Sequence, residues 1–190
     1  ILTSYDYKMR FNENSNKKLT FSEKIFIKDL SFSYDNEELI NIKELVIPKR
    51  EITIIVGENG SGKSTLVNIL TGLIKPPKGS VFIDKIDLSQ NISDWQNIIS
   101  YVPQDAFLIK EKIQTNISLE NESEFNQEKF KFIANTLDLQ KLINSQSKIN
   151  DGVDEGGKNF SGGQKQKISI GRSLYKEPEV IFMDEPTNSI

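Results

Sequence analysis

A glycine-rich stretch at residues 57–65, GENGSGKST, constrains the fold of this chain more than any other feature. It follows EITIIV at 51–56, a β-branched apolar run typical of a buried parallel strand. It leads into KSTLVNILTGL, which is apolar nearly all round and predicts a buried helix. A strand, a G-x-x-x-x-G-K-[ST] loop and a helix, in that order, are the context in which such a loop binds phosphate. We therefore expect an α/β protein built around a phosphate-binding loop.

The residue types in this loop match the chemistry of a bound polyphosphate. Glycines let the backbone approach the phosphates closely, and the loop amides form a nest for the anion. Lys63 would bring its ammonium to the β- and γ-phosphates, and Ser64 would offer a hydroxyl to Mg²⁺. The residues expected to contact a nucleotide here are Gly57, Asn59, Gly60, Ser61, Gly62, Lys63, Ser64 and Thr65.

Two carboxylates follow a second apolar run, VIFMDEP at 180–186. A buried strand there would deliver Asp184 to the carboxyl edge of the sheet, where α/β proteins bind ligands. One carboxylate suits Mg²⁺, usually through a water, which is the role expected of Asp184. The next residue, Glu185, would polarise an attacking water.

Two further residues follow or end predicted strands. Gln104, in YVPQD, comes just after a strand, and its amide could touch Mg²⁺ or the attacking water; taken alone, it is an ordinary polar loop residue. Tyr34 ends the first strand and could stack on a base or simply pack at the edge. The expected catalytic residues are Lys63, Gln104 and Glu185, and the expected metal ligands are Ser64, Gln104 and Asp184.

The segment NFSGGQKQK, at 159–167, has a serine and two adjacent glycines before a helix-like run. This pattern is typical of an anion site at a helix start, or of a plain helix cap.

The rest of the chain predicts a sheet with a side subdomain. IFIKDLSFSY at 25–34 alternates as a half-buried strand does, DNEE is typical of a turn, and KELVIP at 43–48 predicts a returning strand. GSVFIDKIDL predicts another strand or hairpin, and IISYV another strand. Residues 105–160 carry no strand signal, and Phe130, Ile133 and Leu137 share one helix face, which indicates a helical insertion.

Composition excludes several classes of site. The 190 residues contain no cysteine and no histidine, so disulfides and imidazole chemistry are excluded. A net charge of −3 gives no electrostatic case for a nucleic-acid partner. No apolar run approaches the ~20 residues of a membrane helix. Residues 1–24 are polar, typical of a flexible tail or a linker, and both chain ends lead us to expect a fragment of a larger protein.

Together these motifs resemble the nucleotide-binding domain of ABC transporters, over roughly residues 25–190. FSGGQ is similar to the family signature, with Phe160 in place of the more usual leucine. The resemblance implies a RecA-like P-loop NTPase core with a mostly parallel sheet, an N-terminal antiparallel β subdomain, and a helical subdomain over about 105–165. It also implies that the cofactors are ATP and Mg²⁺, and that ATP hydrolysis powers transport across a membrane.

The same resemblance implies a partner domain. In the family, two ATPase domains face head to tail, and each signature contacts the γ-phosphate held by the other's loop. The residues implied for that contact are Ser161, Gly162, Gly163 and Gln164. Tyr34 would stack on adenine.

VDEGGKN, Phe107 and the TNI segment resemble exporters, which implies a half-transporter. Residues 1–24 would then link it to a transmembrane domain, with the ATPase domain on the cytoplasmic face of the membrane. DEPT, with Pro186, is at least as common among importers, so the subtype stays open. The alternatives are a soluble ABC ATPase and a non-hydrolysing, ATP-dependent dimerisation module; an intact Glu185 argues against the latter. The family's histidine after the catalytic glutamate is absent, so we expect the fragment alone to hydrolyse ATP weakly or not at all.

Overall fold

A long antiparallel hairpin opens the folded part of the chain. The computed structural model describes residues 19–34, 37–77, 79–147 and 153–185. Strands β1 (Lys24–Tyr34) and β2 (Glu37–Pro48) pair from Lys24↔Pro48 to Tyr34↔Glu37. The N-terminal antiparallel sheet is confirmed, but β2 begins at Glu37, inside the segment predicted as a turn.

Two short strands complete this first sheet. β3 (Val81–Ile83) pairs with β1, and β4 (Ile86–Asp87) pairs with β3, which gives the order β2-β1-β3-β4. The predicted hairpin in GSVFIDKIDL is therefore confirmed.

A parallel pair of strands makes up the second sheet. β5 (Ile99–Val102) pairs in parallel with β6 (Val180–Met183), from Ile99↔Val180 to Val102↔Met183. Helix α1 (Lys63–Leu70) follows the glycine loop, and α2 (Ile92–Ile98) leads directly into β5. The described residues thus show one pair of the parallel sheet that the sequence predicts.

The predicted strand at 51–56 is not a strand in the structure. Ile52 is 92% exposed and Val56 is 87% exposed, although both were expected to be buried. The segment pairs with no strand among the described residues. A β-strand needs a neighbour for its backbone hydrogen bonds, so an apolar sequence alone does not make one. A groove of about 230 Å³ lies between this segment and β6, lined in part by Thr53, Ile55 and Phe182.

The predicted helical insertion is confirmed and has its own core. It contains α3 (Ile113–Ser118), α4 (Gln127–Thr136) and α5 (Gln140–Ser147), against which α6 (Gly162–Tyr175) packs. Its buried side chains include Leu108, Ile117, Phe130, Ile133, Leu139 and Ile168. Gly171 lets α6 approach closely, because a Cβ there would lie 3.3 Å from the side chains of Ile117 and Leu137. Within the described ranges, no helix is long and apolar enough to cross a bilayer.

Residues 19–24 are part of the fold, although the sequence placed them in a tail or linker at 1–24. Leu19 and Phe21 are buried. The Asp84 carboxylate accepts the backbone N–H groups of residues 22–24 at 2.7, 2.8 and 2.9 Å. Burial by itself raises the pKa of Asp84, but the three amide hydrogen bonds and a nearby lysine charge outweigh it and lower that pKa. Residues 19–24 therefore pack with the rest of the described structure.

Trp95, on α2, is the fully buried residue on which several elements meet. Its indole Nε1–H donates to the Leu70 carbonyl at the end of α1, at 2.7 Å. Its ring meets Phe21 and Phe182 edge to face, at centroid distances of 5.7 and 6.4 Å. One side chain thus joins α1, β6 and the N-terminal segment.

We predict that Trp95→Phe lowers the free energy of unfolding by about 1–3 kcal/mol, because the buried Leu70 carbonyl loses its donor. Trp95→Ala should cost about 3–5 kcal/mol, since it also leaves a cavity. Phe132→Ala is the control, because Phe132 is 72% exposed and its loss should change stability by less than about 0.5 kcal/mol. Urea unfolding followed by circular dichroism measures all three. Equal midpoints for Trp95→Ala and Phe132→Ala would contradict the central role of Trp95.

Candidate functional site

The glycine loop closes around the side chain of Lys63. Lys63 Nζ donates to the carbonyls of Gly57 at 2.9 Å and Glu58 at 2.7 Å. Gly60 and Gly62 have φ of +80° and +87°, a left-handed conformation that favours glycine. Gly62 is also the N-cap of α1, which begins at Lys63. The loop therefore holds the ammonium at the start of a helix with two neutral carbonyls as its partners.

This loop fits a polyphosphate. Residues 57–61 are exposed, and a Cβ built on Gly60 would meet nothing within 4 Å. The first turn of α1 contains no acidic residue, so its free N–H groups and the Lys63 charge are not opposed there by a carboxylate. Ser64 is exposed at the start of the same helix, as a hydroxyl ligand for a phosphate-bound cation requires.

The two predicted carboxylates lie at the end of β6. The Asp184 N–H donates to the Val102 carbonyl at 3.0 Å and so extends the β5–β6 ladder by one step. Asp184 is 8% exposed. Glu185 has φ of +45°, a conformation that costs a non-glycine residue about 1–3 kcal/mol.

Each carboxylate lies near a side chain from β5 or from the loop just after it. Gln104 Nε2 donates to Glu185 Oε2 at 2.9 Å. Burial raises the pKa of Tyr101, and the nearby Asp184 carboxylate raises it further. The structure therefore brings Gln104 and Glu185 together, and it places Tyr101, which the sequence did not single out, near Asp184.

The residues present fit Mg²⁺ bound together with phosphates. Within the described ranges, no group of three or more His, Cys, Asp or Glu side chains could hold a metal by itself. Mg²⁺ commonly takes one or two protein ligands and completes its shell with substrate phosphates and water. Ser64, Gln104 and Asp184 carry oxygen atoms of the kind that it prefers.

The signature segment forms a complete capping box at the start of α6. Gln164 N–H donates to Ser161 Oγ at 3.3 Å, and Ser161 N–H donates to Gln164 Oε1 at 2.9 Å. The plain helix-cap interpretation is therefore correct, and it leaves the hydroxyl hydrogen able to donate. Ser161 and Gly162 are exposed, and a groove of about 370 Å³ lies beside Ser161 and Gly163. Phe160, the departure from the family's usual leucine, is buried in the helical core.

Arg172 ties α6 to the segment that follows Gln104. Its guanidinium donates to the backbone carbonyls of Asn116 at 2.8 Å and Phe107 at 3.1 Å, and to Asn116 Oδ1 at 3.3 Å. All three acceptors are neutral, and burial lowers the pKa of Arg172. Arg172 thus bonds α6, the helix that Ser161 caps, to Phe107 and Asn116, which follow Gln104 in the chain.

Two predicted contacts lie outside what the structure describes. The side chain of Tyr34 falls outside the described residues, so stacking on adenine stays a prediction. Pro186 and the residues after it are also outside the described part.

Comparison with known proteins identifies a family. The ABC transporter model matches residues 40–188. The chain is 33% identical over 180 residues to the microcin-J25 export ATP-binding/permease protein McjD of Escherichia coli, covering 93% of the chain and 30% of McjD. It is 32% identical over 174 residues to the mitochondrial iron-sulfur clusters transporter atm1 of Neurospora crassa, covering 90% of the chain and 24% of that relative.

A solved structure agrees with these relatives. A bacterial Atm1-family ABC exporter with ATP bound superposes with a TM-score of 0.81 at 26% sequence identity. The match covers 90% of the present chain and 31% of that exporter chain. The chain therefore spans about a third or less of the length of the proteins that it matches.

We predict that Lys63→Ala removes ATP-dependent stabilisation of the folded chain. The wild type should gain about 2.7 kcal/mol at an ATP concentration one hundred times its Kd, and the variant should gain almost nothing, because the loop loses its only ammonium. Thermal unfolding with and without Mg-ATP measures this. Lys131→Ala, an exposed lysine on α4, is the control. A shift in Lys63→Ala equal to that of the control would show that the loop binds no phosphate.

Proposed function

The chain belongs to the ABC transporter family, and from that premise we propose that it is the ATPase domain of an exporter, in which ATP hydrolysis drives a substrate across a membrane. The observation that carries this proposal is the contact between Gln104 Nε2 and Glu185 Oε2, at 2.9 Å, beside the buried Asp184. It joins an amide and a carboxylate where two parallel strands end, next in the chain to a second carboxylate. Because the chain spans 30% of McjD, the activity of the whole protein is part of the proposal.

ATP would bind through the loop and the carboxylate cluster together. The loop amides and Lys63 bind the β- and γ-phosphates, while Ser64, Gln104 and Asp184 would hold Mg²⁺. Mg²⁺, when bound, neutralises charge that develops on the transferring phosphoryl group. Glu185 accepts a hydrogen bond from the attacking water and polarises it. The water oxygen bonds to the γ-phosphorus as the bond to the ADP oxygen breaks, and the water proton passes to Glu185 and then to the released phosphate.

The amide of Gln104 is suited to contact Glu185 and Mg²⁺ at the same time. Its nitrogen donates to Glu185, as the structure shows, and its carbonyl oxygen remains an acceptor of the kind that binds Mg²⁺. Gln104 thereby sets the position of Glu185 relative to the metal.

A second copy of the domain, or a related one, would complete the site. Ser161, Gly162, Gly163 and Gln164 would contact the γ-phosphate held by the partner's loop. Two observations support this arrangement: the start of α6 is exposed, and among the described residues no hydrogen bond joins it to the chain's own phosphate loop. The helix N-terminus also favours an anion there.

A transmembrane domain would be the other partner and would place this domain at the cytoplasmic face of the membrane. A groove of about 690 Å³ runs along β5, α6 and the end of α3, and such a partner could bind in it. Leu119, which lines it, is 57% exposed, and Phe107, whose carbonyl Arg172 binds, is 63% exposed. Exposed apolar side chains beside a groove are typical of protein contact surfaces.

We also propose that residues 51–56 pair within a larger, mostly parallel RecA-like sheet in the whole protein. The β-branched composition of the segment and the groove between it and β6 support this pairing.

We predict that Glu185→Gln leaves Mg-ATP binding intact but lowers turnover at least about 100-fold, because the water is no longer polarised. The whole protein should then accumulate with its ATPase domains in an ATP-bound closed dimer, which gel filtration with Mg-ATP measures, while steady-state phosphate release by the whole protein measures turnover. Glu44→Gln, an exposed position on β2, is the control. Unchanged turnover of the whole protein with Glu185→Gln would sink the proposed role, and so would turnover indistinguishable from zero in the whole wild-type protein.

We predict that Ser161→Arg blocks ATP-driven dimerisation but leaves ATP binding by the monomer unchanged. The arginine fills the exposed surface where the partner's phosphate would sit. It also removes the helix cap, which costs about 0.5–2 kcal/mol, so Ser161→Ala is the matched control that loses the cap without adding bulk. Equilibrium binding of ATP and sedimentation separate the two effects. If Ser161→Arg abolished ATP binding by the monomer while Ser161→Ala preserved it, the signature would belong to the chain's own pocket.

A further inference from the structure

The signature, FSGGQ at residues 160–164, is preceded by a turn whose backbone depends on glycine. Glu155–Gly157 form a short 3₁₀ turn in which Gly156 has φ of +68° and Gly157 has φ of +66°. Glycine adopts this left-handed conformation without steric cost, but it loses more conformational freedom on folding than any other residue. Two such residues in succession therefore need contacts with other parts of the fold to keep one conformation.

Two contacts join this turn to the rest of the molecule. A Cβ built on Gly157 would lie 2.9 Å from Leu108 Cδ1, so the backbone of the turn lies directly against that buried side chain. The second contact comes from α6, where Lys165 Nζ donates to the Gly156 carbonyl at 3.0 Å. The turn is thus packed on the segment that follows β5 and hydrogen-bonded to the helix that follows the turn.

The place of Lys165 in the helix calls for a local partner. Its backbone N–H donates to the Ser161 carbonyl at 3.0 Å, which puts it in the first turn of α6. The helix dipole disfavours a positive charge there. Among the described residues, none of the ion pairs involves Lys165, so the neutral Gly156 carbonyl is the acceptor that its half-buried ammonium has. A hydrogen bond from a charged donor is stronger than one between neutral groups, which makes this contact a firm one.

The contact between Lys165 and Gly156 encloses the start of the signature. The two residues are nine positions apart in the chain, and Ser161 and Gly162 lie between them. Ser161 and Gly162 are exposed, so packing around them does not fix their position. Their position follows instead from what holds the chain on either side. On the C-terminal side this is the capping box of α6, and on the N-terminal side it is the turn that Lys165 binds.

We propose that Lys165 is a positioning residue for the signature: its ammonium holds the turn at Glu155–Gly157 against α6 and thereby sets residues 161–163 for the partner's phosphate. This inference rests on the proposed function, because it assigns a support to the residues that would contact that phosphate. Lys165 itself makes no contact with the nucleotide in this proposal. A lysine near a phosphate would also attract it through space, but that attraction is screened by salt, whereas a partly buried hydrogen bond is screened much less.

The test uses the whole protein with Glu185→Gln as the parent, in which ATP-bound closed dimers should accumulate. Labelled ATP is bound with Mg²⁺ and then chased with excess unlabelled ATP, so the retained label measures the ATP enclosed between two domains. We expect Lys165→Met to retain at least about 5-fold less ATP than the parent, because a hydrogen bond from a charged group is lost. Equilibrium binding of ATP in EDTA should not change, since the phosphate loop of the chain is untouched. Hydrogen–deuterium exchange over residues 153–160 should become faster in the same variant.

Two further variants separate position from charge. Lys158→Met removes an exposed lysine from the same loop and should retain ATP as the parent does. Lys165→Arg keeps a charged donor and should restore most of the retention. The loss in Lys165→Met, relative to the parent at the same salt, should be equal at about 0.1 M and about 1 M salt.

Three results would overturn the inference and leave the proposed function standing. They are retention by Lys165→Met equal to that of the parent, an equal loss in Lys158→Met, and a loss that disappears at the higher salt concentration. Absence of retained ATP in the parent would instead overturn the proposed function, and this inference with it.

Discussion

The packing of Trp95 is the interaction on which the arrangement of the site depends. Its indole bonds to the last carbonyl of α1, and its ring contacts Phe182 on β6. Helix α1 runs from Lys63 to Leu70, and Asp184 lies two residues after Phe182, so Trp95 contacts the end of α1 opposite the phosphate loop and the end of β6 next to the carboxylate pair. Because interiors are close-packed, a shift at Trp95 would be transmitted along both elements.

The sequence predicted the elements whose signal is local. The hairpin of β1 and β2, the helix after the glycine loop, and α4 all appear, because alternation and helical spacing report which face is buried. The strand predicted at 51–56 is not formed, and the reason is physical. Apolar composition gives a segment a preference for burial, whereas a strand also requires neighbouring strands for its backbone hydrogen bonds. Helix α2 was missed because its seven residues are too few to establish a period.

The residues of the site also divide into those that local motifs predicted and those that only the fold brings together. Lys63, Gln104, Asp184 and Glu185 could be named from motifs, because each stands beside a strand or loop signal in the sequence. The proximity of Tyr101 to Asp184 could not, since residues far apart in sequence meet only through the register of β5 and β6. Ser161 shows a different limit: its residue type suits both a cap and an anion contact, and the capping box leaves its hydroxyl hydrogen available for the second role.

Helix α6 gives a physical reason why the signature and the carboxylate cluster would respond to each other. Ser161 is its N-cap, and it carries Arg172, whose guanidinium donates to Phe107 and Asn116. Moving α6 away from the segment after Gln104 would leave a half-buried charge without its acceptors, which costs more than the loss of an ordinary hydrogen bond. Rotation of α6 as a unit would therefore act on Phe107 and Asn116, whose oxygens accept from Arg172. Phe107 lies three residues beyond Gln104, and Gln104 binds Glu185, so under the proposed function a partner that shifts the start of α6 would act on the orientation of Glu185.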